Sequence, residues 1–135
     1  MPTFENPTAD AAEASEALRG LAHATRVIDD PRELYAILGD LSAAAASLGQ
    51  ALHQLASVHD AQRRKTAWVP EDSRAARAAT YHVSWDLHRA GEILKHVASS
   101  IDDGHQAEGT VVYQHRDLPT LVDAARPAPS NGLGL

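Results

Sequence analysis

The 135-residue chain contains no cysteine. That excludes a disulfide framework, a zinc–thiolate site and a thiol nucleophile. Aromatic residues are also scarce, at 4%, although 44% of the residues are hydrophobic. The apolar content is therefore mostly Ala, Leu, Val and Ile. Ala has no side-chain entropy to lose in a helix and Leu loses little, so this balance favours helices over sheets. No apolar run approaches the ~18 residues that cross a bilayer. The stretch from Met1 to Asp10 is acidic and polar, unlike a signal peptide. Together these absences predict a soluble cytoplasmic protein of one domain that needs no membrane.

Positive charge is in short supply too. The net charge is −6, with 12 Lys and Arg against 18 Asp and Glu. The acidic excess lies in the first sixty residues, and residues 61–103 carry a small basic excess. An acidic protein repels nucleic acid and anionic membrane on average, so either partner needs a local basic patch.

What the chain does have is helical periodicity. Ala14, Leu18, Leu21, Thr25 and Ile28 step by four and three, one stripe of a helix, with Thr8 placed to cap it. The next segment has the clearest start. Asp30 can cap, Pro31 sits where its missing N–H costs nothing, and Glu33 completes a capping-box spacing. Leu34, Leu38, Leu41, Ala45, Leu48, Leu52 and Leu55 then alternate steps of four and three, flanked by Ile37, Ala44, Ala51 and Val58. Residues 62–70 break the pattern, because Val69 precedes a proline. Asp72 or Ser73 can cap a third segment, in which Ala76, Thr80, Val83, Leu87, Ala90, Leu94, Val97 and Ile101 repeat the same steps. Asp102-Asp103-Gly104 predicts its end, with Gly104 able to take positive φ.

The predicted fold is all-α: an antiparallel three-helix bundle with two long helices, about Pro31–Asp60 and Asp72–Asp102. The predicted boundaries are a bundle over residues 1–104, a short docking segment over 105–126 and a disordered tail over 127–135. Leu118, Leu121, Val122 and Ala125 suggest helical turns in the docking segment, and Thr110–Tyr113 a short extended piece. The tail, Pro-Ala-Pro-Ser-Asn-Gly-Leu-Gly-Leu from Pro127, is too polar and flexible to offset its ordering entropy.

One face of the third helix departs from the usual pattern. Tyr81, Trp85, His88, Glu92 and His96 share a side about opposite the Val83–Leu87–Leu94 stripe. An outward face normally carries Lys, Glu and Gln. Trp and Tyr there suggest a partner surface, with a homo-oligomer the commonest case. A face covered by the first helix or the tail explains them equally well. On the second helix, Gly39, Ala43, Ala46 and Gly49 occupy outer positions where another helix can approach closely.

Chemical motifs are sparse. His88, Glu92 and His96 have i, i+4, i+8 spacing, which can line up metal ligands. Neither long helix has the Glu-x-x-His of carboxylate-bridged metal bundles, however. No metal ligand set, cofactor or catalytic residue is therefore assigned. His115-Arg116-Asp117-Leu118 matches the start of a kinase catalytic loop, but Val122 stands where the metal-binding Asn belongs. Arg77 and His82 have the spacing of the Arg-x₄₋₆-His motif of HEPN-type RNases, with Ala78 where those proteins usually carry a polar residue. Ten arginines and eight histidines produce that spacing by chance about as often as it occurs here. Arg63, Arg64 and Lys65, with Trp68, Arg74 and Arg77, form a basic corner with one aromatic, suited to phosphates and a stacked base. Asp60, Glu71 and Asp72 partly neutralise it.

The stretches Ala9-Asp-Ala-Ala-Glu-Ala-Ser-Glu-Ala-Leu-Arg-Gly-Leu-Ala-His-Ala-Thr-Arg26 and Leu38-Gly-Asp-Leu-Ser-Ala-Ala-Ala-Ala-Ser-Leu-Gly-Gln-Ala-Leu-His-Gln-Leu-Ala-Ser-Val-His-Asp60 resemble small all-α proteins of actinobacterial plasmids and integrative elements. The resemblance covers about half the chain. It implies an accessory role on a mobile element and carries no activity or site residues. Three functional readings stay open on sequence. The first is a non-enzymatic interaction protein that self-associates or binds a protein partner. The second is a nucleic-acid-associated factor using the basic corner. The third is an enzyme, HEPN-like or metal-dependent.

Overall fold

The computed structural model describes residues 1–64 and 73–114, with backbone alone at 62–64 and 73. The chain is all-α, with helices α1 (Pro7–Ala24), α2 (Glu33–Arg64) and α3 (Ser73–Glu108), and no strand among the described residues. The long second and third helices pack closely on each other, as the repeating apolar steps predict. The first helix contributes no buried side chain and makes no close backbone approach to the other two. The 115–126 docking segment, the 127–135 tail and the His115 motif lie outside the described residues.

Helix boundaries shift from the sequence reading for identifiable reasons. Asn6, not Thr8, caps α1: its side chain accepts from the Ala9 amide at 3.2 Å, and Pro7 takes the first helical position. A polar turn sits ahead of it. The Thr3 hydroxyl accepts from the Asn6 amide at 2.8 Å, and the Asp10 carboxylate accepts from the Thr3 amide at 2.6 Å. The Thr3 amide is the main reason the Asp10 carboxyl is held below the ordinary carboxylate range. A depressed carboxyl contributes stability above its unfolded value and loses it as pH falls through the folded one. Protection of the Thr3 amide against hydrogen exchange is therefore expected to vanish in acid, below the ordinary carboxylate range. Asp10→Asn should remove that pH dependence; a wild-type profile unchanged by the substitution contradicts the assignment.

At α2 the predicted capping box is replaced by a turn. Asp30 accepts from the Arg32 amide at 3.0 Å and pairs with the Arg32 guanidinium at 2.7 Å. The helix proper begins at Glu33, whose amide reaches the Asp30 carbonyl at 3.1 Å.

At the other end α3 runs past Gly104 to Glu108. Gly104 is helical, no glycine among the described residues has positive φ, and nothing lies within 4 Å of a Cβ built there. The Tyr113 hydroxyl donates to Glu108 just beyond the helix end, and that bond holds the phenol above its ordinary range. Residues 111–114 form no strand. Gly104→Ala is expected to stabilise the protein by about 0.5–1 kcal/mol, since a mid-helix glycine carries excess backbone entropy. A loss of thermal stability would mean that this residue ends the helix with positive φ instead.

Candidate interaction surfaces

Small and polar residues, not the leucines, form the line where α2 meets α3. On α2 they are Ser42, Gly49 and Ala56; on α3 they are Ser84, Gly91 and Ala98. Gly49, Ala56, Ser84, Gly91 and Ala98 are buried, and Ser42 is half-buried. Both helices therefore carry the same Ser-x₆-Gly-x₆-Ala heptad, and the antiparallel arrangement lays one against the reverse of the other. The Ser42 hydroxyl donates to the Ala98 carbonyl at 3.1 Å. A Cβ on Gly49 would sit 3.2 Å from the Gly91 carbonyl oxygen. The same register sets Ala56 opposite Ser84, whose hydroxyl donates to Asp60 at 2.5 Å. Tyr35 stacks on His105 at the far end, with ring centroids 4.0 Å apart. The His105 ring occupies the space beside Gly39, where a Cβ would meet it at 2.9 Å. Gly39 and Gly49 thus admit another helix closely, as their size suggests. That helix is α3, and these positions face inward instead of outward.

This close seam leaves the leucine stripes on one side. At about 100° per residue, Leu34, Leu38, Ala45, Leu48, Leu52 and Leu55 lie to one side of the Ser42–Gly49–Ala56 line. Thr80, Val83, Leu87, Leu94, Val97 and Ile101 lie correspondingly beside the Ser84–Gly91–Ala98 line. Because the helices run antiparallel, both sets emerge on the same face of the pair. Leu38, Leu52, Leu87 and Leu94 are half-buried there. Leu48, Leu55, Val83 and Val97 remain 46%, 53%, 44% and 40% exposed. Among the described residues, no large side chain is fully buried, and no other helix closely approaches this face.

The opposite face is polar. His53 on α2 and His88 on α3 meet with their Nδ1 atoms 3.0 Å apart. His53 Nε2 lies 3.3 Å from Glu92, and His88 Nε2 lies 3.4 Å from Asp60. The result is a chain of polar contacts, Glu92–His53–His88–Asp60–Ser84, bridging the helices. One ring nitrogen of a neutral imidazole donates and the other accepts, so the Nδ1 atoms bond when the two rings are opposite tautomers. Beside this chain an open groove of about 650 Å³ is lined by Ala46, Gln50, His53, Gln54 and Lys95. Gly49 and Gly91 also line it.

Of the five residues predicted as a partner surface, the structure keeps Tyr81 and Trp85 about half exposed, with the Arg89 guanidinium 5.3 Å from the Trp85 ring centroid. Glu92 and His96 are also exposed. His88 is different: it is half-buried and turned into the interhelix chain, so it does not face outward with the others. His88, Glu92 and His96 do not converge as ligands, and no group of three metal-ligating side chains is assembled among the described residues. Arg77 and His82 point about 140° apart on α3, and His82 instead lies 3.5 Å from Asp86. Arg74 and Arg77 are exposed on the first turns of α3. The Arg63 and Arg64 side chains, Lys65 and Trp68 lie outside the described residues.

The sequence reading missed His53, Asp60 and Ser84, which belong to the polar chain, and the small-residue seam. The twin Ser-Gly-Ala heptads were its available signal. No protein-family model, curated protein or solved structure matches the chain. Among the described residues, no helix is long and apolar enough to cross a membrane.

Proposed function

We propose that this protein is a non-enzymatic helical interaction protein, and that the leucine face of the α2–α3 pair is its docking surface. The observation that supports this reading is the single apolar face. Both heptad stripes emerge on it, and Leu48, Leu55, Val83 and Val97 stay exposed by 40% or more. Fully burying such a side chain is worth roughly 1.5–3 kcal/mol, and the isolated pair leaves about half of that unused at each position. Self-association or a protein partner supplies the missing layer, and an accessory role on a mobile element is compatible with either. Tyr81, Trp85 and Arg89 form a smaller, separate aromatic patch on the far side of α3.

Sedimentation velocity on the wild type and two double variants tests the assignment. Leu48→Glu with Leu55→Glu is expected to abolish association. Tyr81→Ala with Trp85→Ala is expected to leave it intact. The reverse order moves the docking surface to the tryptophan patch. A wild type that neither associates nor binds an apolar dye removes the reading.

A further inference from the structure

We infer that the occupant of the leucine face is a second copy of this chain, related by a two-fold axis, so that two α2–α3 pairs complete a four-helix bundle. This rests on the reading of that face as a docking surface and names its partner.

Size is the first argument. The paired span from Tyr35 to Asp60 covers about 39 Å at ~1.5 Å per residue. Two helices 8–10 Å apart present a face roughly 20 Å wide. The product, about 800 Å², is what each partner contributes to a standard protein–protein interface.

Charge is the second. From Leu41 to Val58 the second helix has no Asp, Glu, Lys or Arg on any side. The stripe residues Ala76, Thr80, Val83, Leu87, Ala90, Leu94, Val97 and Ile101 are uncharged as well. A chain of net charge −6 repels its own copy, and that repulsion is least where both surfaces are neutral. A strongly charged partner would find nothing on this face to pair with.

Pattern is the third. Both helices carry the same steps of four and three, so a two-fold axis sets each heptad layer against an equivalent layer of the copy. Isologous packing requires this kind of self-complementarity. The first helix is a poorer occupant. Its stripe offers Leu18, Leu21 and Ile28 as its only large apolar residues, and it does not closely approach either long helix.

The test is light scattering on the full chain at roughly 50 micromolar, above the micromolar upper end of Kd for interfaces of this size. The wild type and Tyr81→Ala/Trp85→Ala are expected at twice the 14.4 kDa chain mass. Leu48→Glu/Leu55→Glu is expected at the chain mass, or unfolded by circular dichroism. A wild-type dilution series read by fluorescence transfer between two labelled pools supplies a measurement independent of any variant; transfer that appears on mixing and falls on dilution supports the two-copy assembly. A dimer that survives both glutamates overturns the inference, because it forms elsewhere. A monomeric wild type also overturns it. In that case, dye binding that the glutamates abolish preserves the face as a site for a different protein. A monomer that binds no dye means that the chain covers its own face, and the docking reading falls as well.

Discussion

Gly49→Leu is expected to be among the most damaging single substitutions in the protein, costing about 1–3 kcal/mol or separating the two long helices outright. The Cβ alone would sit 3.2 Å from the Gly91 carbonyl oxygen and 3.4 Å from Leu94 Cβ. Backbone cannot swing aside as a side chain can, so the helices must part. Parting them lengthens the Ser42–Ala98 bond and opens the His53–His88 contact, which are made at the same approach. Leucine is a better helix former than glycine by most of a kcal/mol, so propensity works against the expected loss. A variant with unchanged or raised stability in urea would therefore mean that the helices do not touch at Gly49. Gly91→Ala has a different meaning. The atoms in its way belong to the His53 ring, at 2.7 Å, a movable side chain. Its cost should appear as loss of the His53–His88 contact and not as separation of the helices.

The second large effect concerns the leucine face, and its size reports whether that face is covered. Leu48 is 46% exposed in the single chain. Truncating a half-exposed leucine to alanine removes about half the transfer free energy of a buried one, roughly 1 kcal/mol. If a second layer covers it, Leu48→Ala creates a cavity and costs about 2–5 kcal/mol. The account predicts the larger loss for both Leu48→Ala and Leu55→Ala, measured in denaturant at a concentration where the protein is assembled. It also predicts that the loss shrinks toward 1 kcal/mol on dilution, since association stabilises by mass action. A small, concentration-independent loss contradicts coverage of the face.

These substitutions show how far the sequence could be read. Periodicity located all three helices, because side chains repeating every three or four residues must share a side of a helix whatever they pack against. It misjudged the line of contact between α2 and α3 for a physical reason. Hydropathy weights Leu41, Leu48 and Leu55 as the centre of burial, whereas the closest approach of two backbones selects for side chains that are absent or nearly so. Ser42, Gly49 and Ala56 meet that need, and Ser84, Gly91 and Ala98 repeat it. The end of α3 was misread at Gly104 because a glycine after two aspartates is a common stop, yet no strain or contact at that position requires one. Only the partnering of distant residues was beyond reach. His53 and His88 are 35 residues apart, and Asp60 and Ser84 are 24 apart. Nothing local marks either as half of a pair until the register of the helices is known. The aromatic patch was legible at Tyr81 and Trp85, which stay exposed. At His88 it was not, because the deciding residue lies on the other helix.

The common leucine face depends on that register, and the absence of native cysteine allows it to be measured directly. Ser42→Cys combined with Ala98→Cys places two thiols where the Ser42 hydroxyl now bonds the Ala98 carbonyl at 3.1 Å. On mild oxidation the account predicts a disulfide within one chain, seen as faster migration without reducing agent and no gain in mass. Free thiols after oxidation, or bonds only between chains, would contradict the Ser-Gly-Ala seam and the common leucine face built on it.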